Sequence, residues 1–421
     1  MIIRPKMNFD PCAPDTAMIE GCIREHTAGI GRLSRLRAYY DGRHAIADRH
    51  RGAGLPNMRM AHGFPRYIST MAAGYLIGAP VRYSCDAQPA ALDVILNEYR
   101  RLAIDSLDAE LARDASVYGK GVELLYADGE ARPCAAALDP RDAFVVYDDS
   151  VECAPLMGVY VTPQRDAAGK IGGFSVRVYT DSACVLYRIE SLQRPQIERA
   201  ESAALHYFGR VPMIEYWNDE DERGDFENVL SLIDAYDLLQ SDRMNDKQQF
   251  VDALLVLYGC TLETDERGRS PGQQLREDKA LCMPDSDARV EWLCKQMSEA
   301  DTEVLRRAIC EDIHKMSMVP DLTDQQFAGN SSGVAMRYKL LGLEQLTKIK
   351  ERWFREALRM RMAAFAEFMA CRGGELLHTD DVRMEFTRSL PVNELENAQT
   401  LACLTGILPQ EELVRRAMQD A

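Results

Sequence analysis

The stretch from Ser331 to about Cys371 constrains the fold more than any other part of this chain. Met336, Leu340, Leu343, Leu346, Ile349, Trp353, Ala357, Met360, Ala364 and Phe368 recur at steps of three and four residues, which puts them on one continuous face of a helix. At about 1.5 Å per residue that helix is roughly 60 Å long, well beyond the usual globular length. It carries eight Lys and Arg against four Glu, a basic spine in a chain whose net charge is −16. An apolar stripe of that length needs other elements laid along it. The expected class is α+β, mainly helical.

Residues 15 to 118 supply further helix, with amphipathic stretches near 16–28, 30–41, 64–77, 89–101 and 106–118. Gly78 before Pro80, and Gly119 after Tyr118, are stop signals. From Gly121 the pattern changes to the runs GVELLYA, FVVYD, MGVYVT, FSVRVYT and ACVLYRIE. The dipeptides Asp128-Gly129 and Gly172-Gly173 read as turns between them, so residues 120–217 form a strand-rich module. The acid run from Trp217 to Glu227 closes that module and opens a helix that Asp225 can cap. Its first half is apolar (Val229, Leu230, Leu232, Ile233, Tyr236, Leu239), while its second half, QSDRMNDKQQ, offers only Met244. One end is packed and the other faces something polar. A strand-like run, VDALLVLYG, follows, and the mixed-charge segment 260–289 reads as an exposed excursion. Ser298 and Asp301 then start a helix that reaches about Met318 and is stopped by Pro320.

Composition excludes several classes. With 50 Lys and Arg against 66 Asp and Glu, this is not a generic basic nucleic-acid binder. Apolar runs such as Ala253 to Tyr258 are far too short to cross a bilayer. The proline- and aspartate-containing N-terminus lacks the apolar core of a secretory signal, so a cytosolic chain is expected. Twelve dispersed cysteines with no C-x-x-C pair read as buried reduced thiols. Cys310 and His314, one helical turn apart, are two potential ligands with no companion pair, and no metal is expected.

Catalytic signals are sparse. Gly119-Lys120-Gly121 follows a helix and cannot present a helix N-terminus to phosphate. Asp219, Asp221 and Gly224 imitate a calcium loop, but Arg223 and Leu230 stand where ligands are needed. Asp139, Asp142, Asp148 and Asp149 could together support a metal-dependent hydrolase, although LDPRD is turn chemistry. No catalytic residue and no cofactor is expected. A non-viral helical adaptor pairing through the long helix is the other alternative.

Three stretches carry a family resemblance: YYDGRHAI with FPRYIST and GYLIGAPVRY; GRVPMIEYWN with GDFENVLSLIDAYDLLQSDRMNDKQQFVDALLVLYG; and FAGNSSGVAMRYKLLGLEQLTKIKERWF. From about residue 30 to 415 the chain resembles tailed-bacteriophage portal proteins of the SPP1 siphophage group. The resemblance implies a ring homo-oligomer, typically a dodecamer, at one capsid vertex, through which double-stranded DNA is packaged and ejected and to which the tail is joined. It implies as partners the terminase large subunit, scaffold and major capsid proteins and a head-tail adaptor at the clip. It implies no membrane, a place in the virion, and assembly in the host cytoplasm.

By order of motifs the resemblance divides the chain into a helical wing part (1–119), a strand-rich wing module (120–224) and a first stem helix (225–250). A clip (251–297), a second stem helix (298–318) and a tunnel loop (319–330) follow. The long wing helix with its following strand (331–390) and a short or truncated crown (391–421) complete it. Asp324, Gln325, Gln326, Phe327 and Asn330 are then expected to face DNA, with Ser331 or Ser332 capping the next helix. Gln240, Asp242, Arg243, Asp246 and Lys247 would form a polar stem-helix end exposed at a ring surface or tunnel. An acidic conduit suits the resemblance, because Lys and Arg contacts to phosphate would hold DNA that must slide.

Overall fold

The structure, a computed structural model, describes residues 1–7, 9–52, 55–249, 254–258, 289–293, 299–322 and 338–388. The expectations for 259–288, for the loop residues Asp324 to Asn330, for the caps Ser331 and Ser332 and for 391–421 lie outside the described residues. Two compact units share the chain: Met1–Arg43, Gly63–Ser231 and Asp312–Ala421 form the first, and His44–His62 with Leu232–Glu311 form the second.

The first unit begins with strand β1 (Ile2–Arg4) and helix α1 (Thr16–Tyr40). α1 fuses the two amphipathic stretches expected there, and the Asp15 carboxylate caps it by accepting the Ala17 N–H at 3.1 Å. Helices α2 (Phe64–Ile77), α3 (Pro89–Leu102) and α4 (Ile104–Tyr118) match the periodic stretches closely, with the short strand β2 (Arg82–Ser84) between the first two.

Strands β3 (Lys120–Ala127), β4 (Pro133–Leu138) and β5 (Ala143–Asp148) come next. β6 (Pro155–Arg165), β7 (Ile171–Tyr179) and β8 (Ala183–Ile189) continue the module. The two-residue strands β9 (Glu198–Arg199) and β10 (Ala204–Leu205) and then β11 (Met213–Trp217) close it. The larger sheet runs β1-β5-β6-β7-β8-β10 with β9 against β8, and the smaller runs β11-β3-β4.

Two expectations are corrected here. β1 lies parallel to β5, with Ile2 opposite Val146, so the first residues belong to the strand module rather than to a helical N-terminal part. Gly172 and Gly173 lie inside β7, and the turn is at 166–170, where the Asp166 carboxylate accepts the N–H groups of Ala168 and Lys170.

Alternation along β5 explains the layering, since successive side chains point to opposite faces. Phe144 and Val146 pack with Ile19, Cys22 and Ile23 of α1. Ala143, Val145 and Tyr147 pack on the other side with Val122, Leu124 and Met213 of the smaller sheet. β11 repeats the device: Met213 faces that layer, while Ile214 and Tyr216 join Phe354 and Phe365 of helix α7 (Leu341–Cys371). The layers run from α1 through the two sheets to α7 with α2, α3 and α4. A last strand, β14 (Arg383–Glu385), pairs with β2.

The buried face of α7 keeps Leu343, Ala357, Ala364 and Phe368 of the expected stripe and widens it to neighbouring positions. Leu343, Thr347, Lys350, Phe354, Ala357, Leu358, Arg361, Phe365 and Phe368 are inside, whereas Ile349 is 47% exposed. The physical reason is charge pairing. Lys350 donates to the buried Asp225 carboxylate and Arg361 meets Asp108 and Glu123, so these two cations of the basic spine are neutralised within the unit. Asp225 also accepts the Ser116 hydroxyl (2.5 Å) and the Asn218 amide (2.8 Å). It therefore does not cap the next helix; a 3-10 turn at Glu227–Val229 leads into α5 (Leu230–Gln249) instead.

The second unit holds the segment 44–62, nearly all of α5, strands β12 (Leu254–Tyr258) and β13 (Arg289–Leu293), and the first part of α6 (Glu299–Ser317). β12 and β13 are antiparallel, with Leu254 opposite Leu293. α6 ends before Pro320 because Met318 turns left-handed, with φ of 58°, and Val319 as the residue before proline resists helical geometry.

Candidate functional site

The polar half of α5 is covered by its own chain. Asp237, Ser241 and Asn245 stand at four-residue steps on one face and are all 0% exposed. Against them lie the N–H groups of alternate residues: Met58 donates to Asn245 Oδ1 (2.6 Å), Met60 to Ser241 Oγ (3.0 Å) and His62 to Asp237 Oδ1 (2.9 Å). Two residues of extended chain span about 6.6 Å and four residues of helix about 6.0 Å, so the two repeats match.

Two of the three imidazoles of that segment meet Asp237. His44 Nδ1 is 2.5 Å from Oδ2 and His62 Nδ1 is 2.8 Å from Oδ1. A carboxylate only accepts, so each Nδ1 carries its proton. Burial pushes the Asp237 carboxyl up, but the donors from His44 and His62 outweigh it and hold the group below the usual carboxylate range.

Most residues expected at the polar end are paired within the chain. Asp242 accepts from Arg49 (2.7 Å) and Arg51. Arg243 donates through Nε to Glu299 (2.8 Å) and through Nη1 to Glu303 (3.1 Å) on α6, and Arg306 donates to the Tyr236 hydroxyl at 3.2 Å. These pairings make α5 and α6 antiparallel. Gln240 and Asp246 are half-buried, and of the five residues only Lys247 is exposed, 3.5 Å from Glu299. Asp237, Ser241 and Asn245 escaped notice because three small polar side chains in a polar run resemble a solvated face; their four-residue spacing was the available signal.

The acid quartet does not converge. Asp139 and Asp142 precede β5 while Asp148 and Asp149 end or follow it, a separation of about 20 Å along a strand. Asp139 takes the Arg141 guanidinium and N–H, both at 2.9 Å. Asp148 takes the Ser150 hydroxyl (2.6 Å) and the Ala154 N–H (3.0 Å), and the Ser150 hydroxyl chiefly holds it below its ordinary range. Asp149 accepts the Lys6 N–H at 3.3 Å. Lys120 binds Glu215 (2.9 Å) and Glu222 (3.1 Å), which occupies the ammonium that a phosphate loop would need. His314 Nδ1 donates to the Val319 carbonyl at 2.9 Å.

Among the described residues no helix is long and apolar enough to cross a membrane. The family described as "Phage portal protein, SPP1 Gp6-like" matches residues 19–419. The portal protein of Bacillus phage SPP1 is 24% identical, over 96% of this chain and 83% of its own length. The portal protein of Clostridium phage phiCD119 is 23% identical, over 85% of this chain and 80% of its own. A chain of the solved "Neck of empty GTA particle computed with C6 symmetry" aligns over 93% of both chains at 11% identity, with a TM-score of 0.48. With nearly its whole length matched, the chain belongs to the SPP1 Gp6-like family of phage portal proteins.

Proposed function

We propose that this portal protein assembles with copies of itself into a closed ring, a dodecamer in the virion, whose channel admits double-stranded DNA during packaging and releases it at ejection. α5 and α6 would be the stem helices, β12 and β13 the base of the clip, and the clip would receive a head-tail adaptor. The terminase large subunit, scaffold and major capsid proteins would meet the same ring. The observation that supports this most is the antiparallel α5–α6 pair joined through two antiparallel strands, with Leu238 (44%), Met244 (41%), Val304 (68%) and Leu305 (51%) exposed on its helices. Large apolar side chains on the helices of a charged chain call for a partner surface, and a heterologous contact between identical copies closes into a ring.

Native mass spectrometry and electron microscopy of the purified protein test the reading. A large closed ring is expected, with or without scaffold. Monomers under dilute and concentrated conditions alike would sink it, and a dimer held by α7 would favour a helical adaptor.

The motor supplies the chemistry in this reading, and the ring supplies none. ATP hydrolysis or Mg²⁺-dependent DNA cutting that disappears in Asp148→Ala would contradict that.

The loop 319–330 would meet DNA through Gln325, Gln326, Phe327 and Asn330. Asp321 and Asp324 are its acids and it has no base. Amide side chains exchange hydrogen bonds with phosphate oxygens without ionic attraction. Gln325→Lys or Gln326→Lys should leave the ring intact and slow translocation most at low salt. Wild-type packaging rates across a salt series would show that the loop does not touch DNA.

A further inference from the structure

The end of α6 and the residues after it are held by side chains at five backbone atoms. Asn228 Nδ2 donates to the Met316 carbonyl (3.0 Å), and His314 Nδ1 to the Val319 carbonyl (2.9 Å). The Val319 N–H donates to Ser317 Oγ at 3.4 Å. The Tyr67 hydroxyl donates to the Pro320 carbonyl (2.7 Å) and accepts the Leu322 N–H (3.3 Å). Helix C-termini leave carbonyl groups without partners, which a left-handed glycine or water ordinarily resolves. Here the left-handed residue is Met318, with φ of 58°, a conformation that disfavours any side chain. Surrounding contacts must hold it there.

Packing supports the polar clamp. Val319 is fully buried, and the His314 ring meets Phe64 and Tyr67 edge-on, with centroids 5.9 and 5.7 Å away. Pro320 adds its own restriction on backbone rotation. The chain thus leaves α6 along a path set by α2 through Tyr67 and by the turn before α5 through Asn228, rather than by the helix end alone.

We propose that Tyr67, His314 and Asn228 are positioning residues that hold the chain from Met316 to Leu322, the base from which the following loop starts. The functional half of this proposal rests on reading that loop as DNA-facing. Sliding DNA would push on the loop, and the clamp would pass that load into α2 while keeping the loop's base in place.

Tyr67→Phe keeps the ring of the side chain and removes the hydroxyl. Hydrogen exchange followed by mass spectrometry on the assembled oligomer should then show the Leu322 amide exchanging about tenfold faster, the change expected for one lost hydrogen bond. His314→Phe fills the same slot without a donor and should raise exchange across 319–322, whereas His314→Gln retains an N–H donor and should restore it. Unchanged exchange in Tyr67→Phe and His314→Phe, or failure of both to assemble, would overturn the clamp. In a packaging assay with matching terminase and prohead, Tyr67→Phe should slow translocation. Faster exchange with wild-type packaging would keep the clamp and remove the DNA-facing reading of the loop, so the two ideas fail separately.

Discussion

Arg361 and Glu123 lie 238 residues apart and meet in the core, Nε standing 2.8 and 3.0 Å from the two carboxylate oxygens with both side chains fully buried. Asp108 is 2.6 Å from Arg361 Nη1, the Tyr216 hydroxyl donates to Glu123 at 2.6 Å, and the rings of Tyr99 and Tyr216 lie 5.9 and 5.5 Å from the guanidinium. One residue of α7 thereby ties α4, β3 and β11 to the long helix.

Removing the cation alone should be severe. Arg361→Met strands two carboxylates in the interior, and loss of one partner from a buried ionic group costs about 3–5 kcal/mol. Adding Glu123→Gln and Asp108→Asn should recover part of the loss, since neutral side chains tolerate that interior better. Urea unfolding of the three variants measures this, and a near-neutral Arg361→Met would show that the hub contributes little.

The same hub makes stability depend on pH in an unusual direction. Burial pushes Asp108 up from 3.8 to about 6, against the pull of Arg361. The folded form holds this proton more tightly than the unfolded one. The contribution is therefore fully present below about pH 4 and lost as pH rises through about 6, up to roughly 3 kcal/mol from this one group. Asp114, also raised to about 6 by burial, acts in the same sense. Asp108→Asn should flatten the stability profile between pH 4 and 6 relative to wild type; parallel profiles would refute the assignment.

A different signature belongs to the segment docked on α5. Asn245→Leu keeps the volume but leaves the Met58 N–H without its acceptor, a loss of about 1–3 kcal/mol. Exchange should quicken at Met58 and, through the shared path, at Met60 and His62. Asp237, whose folded pKa is depressed, contributes stability above the ordinary carboxylate range that disappears as pH falls below it. Acid should therefore loosen this segment in the wild type and have less effect in Asp237→Asn.

What the sequence made legible follows from range. α2, α3 and α4 came from local periodicity and local stops, because Gly78 and Gly119 act where they stand. β4 (PCAAAL) went unread because it has no β-branched residue, although its partner β3 is next in the chain, and β1 (IIR) because three residues show no period and its partner β5 lies about 140 residues away. The burial of Lys350 and Arg361 in α7 was not readable either, since nothing local reveals that Asp225, Asp108 and Glu123 wait in the interior. At the candidate site, the helix and its polar half were readable from α5 itself. The cover over it was not, because Met58, Met60 and His62 engage through backbone N–H groups that any residue supplies.

Glycine gives the last prediction, with one substitution expected to act in opposite directions. Gly119 ends α4 with φ of 92°, and a Cβ there would overlap the Glu222 carbonyl oxygen, which is backbone and cannot swing away. Gly119→Ala must therefore distort the α4–β3 turn or displace the acid run, and should cost more than about 2 kcal/mol. Gly29 and Gly31 sit inside α1 with no atom near the position of an added Cβ. There the same change removes backbone freedom from the unfolded chain and should gain about 0.5–1 kcal/mol per site. Thermal melts of Gly119→Ala and of Gly29→Ala with Gly31→Ala should separate to either side of the wild type. If Gly119→Ala melts with the wild type, the close approach of residue 222 to the end of α4 is wrong, and so is the path of the chain from β11 into α5.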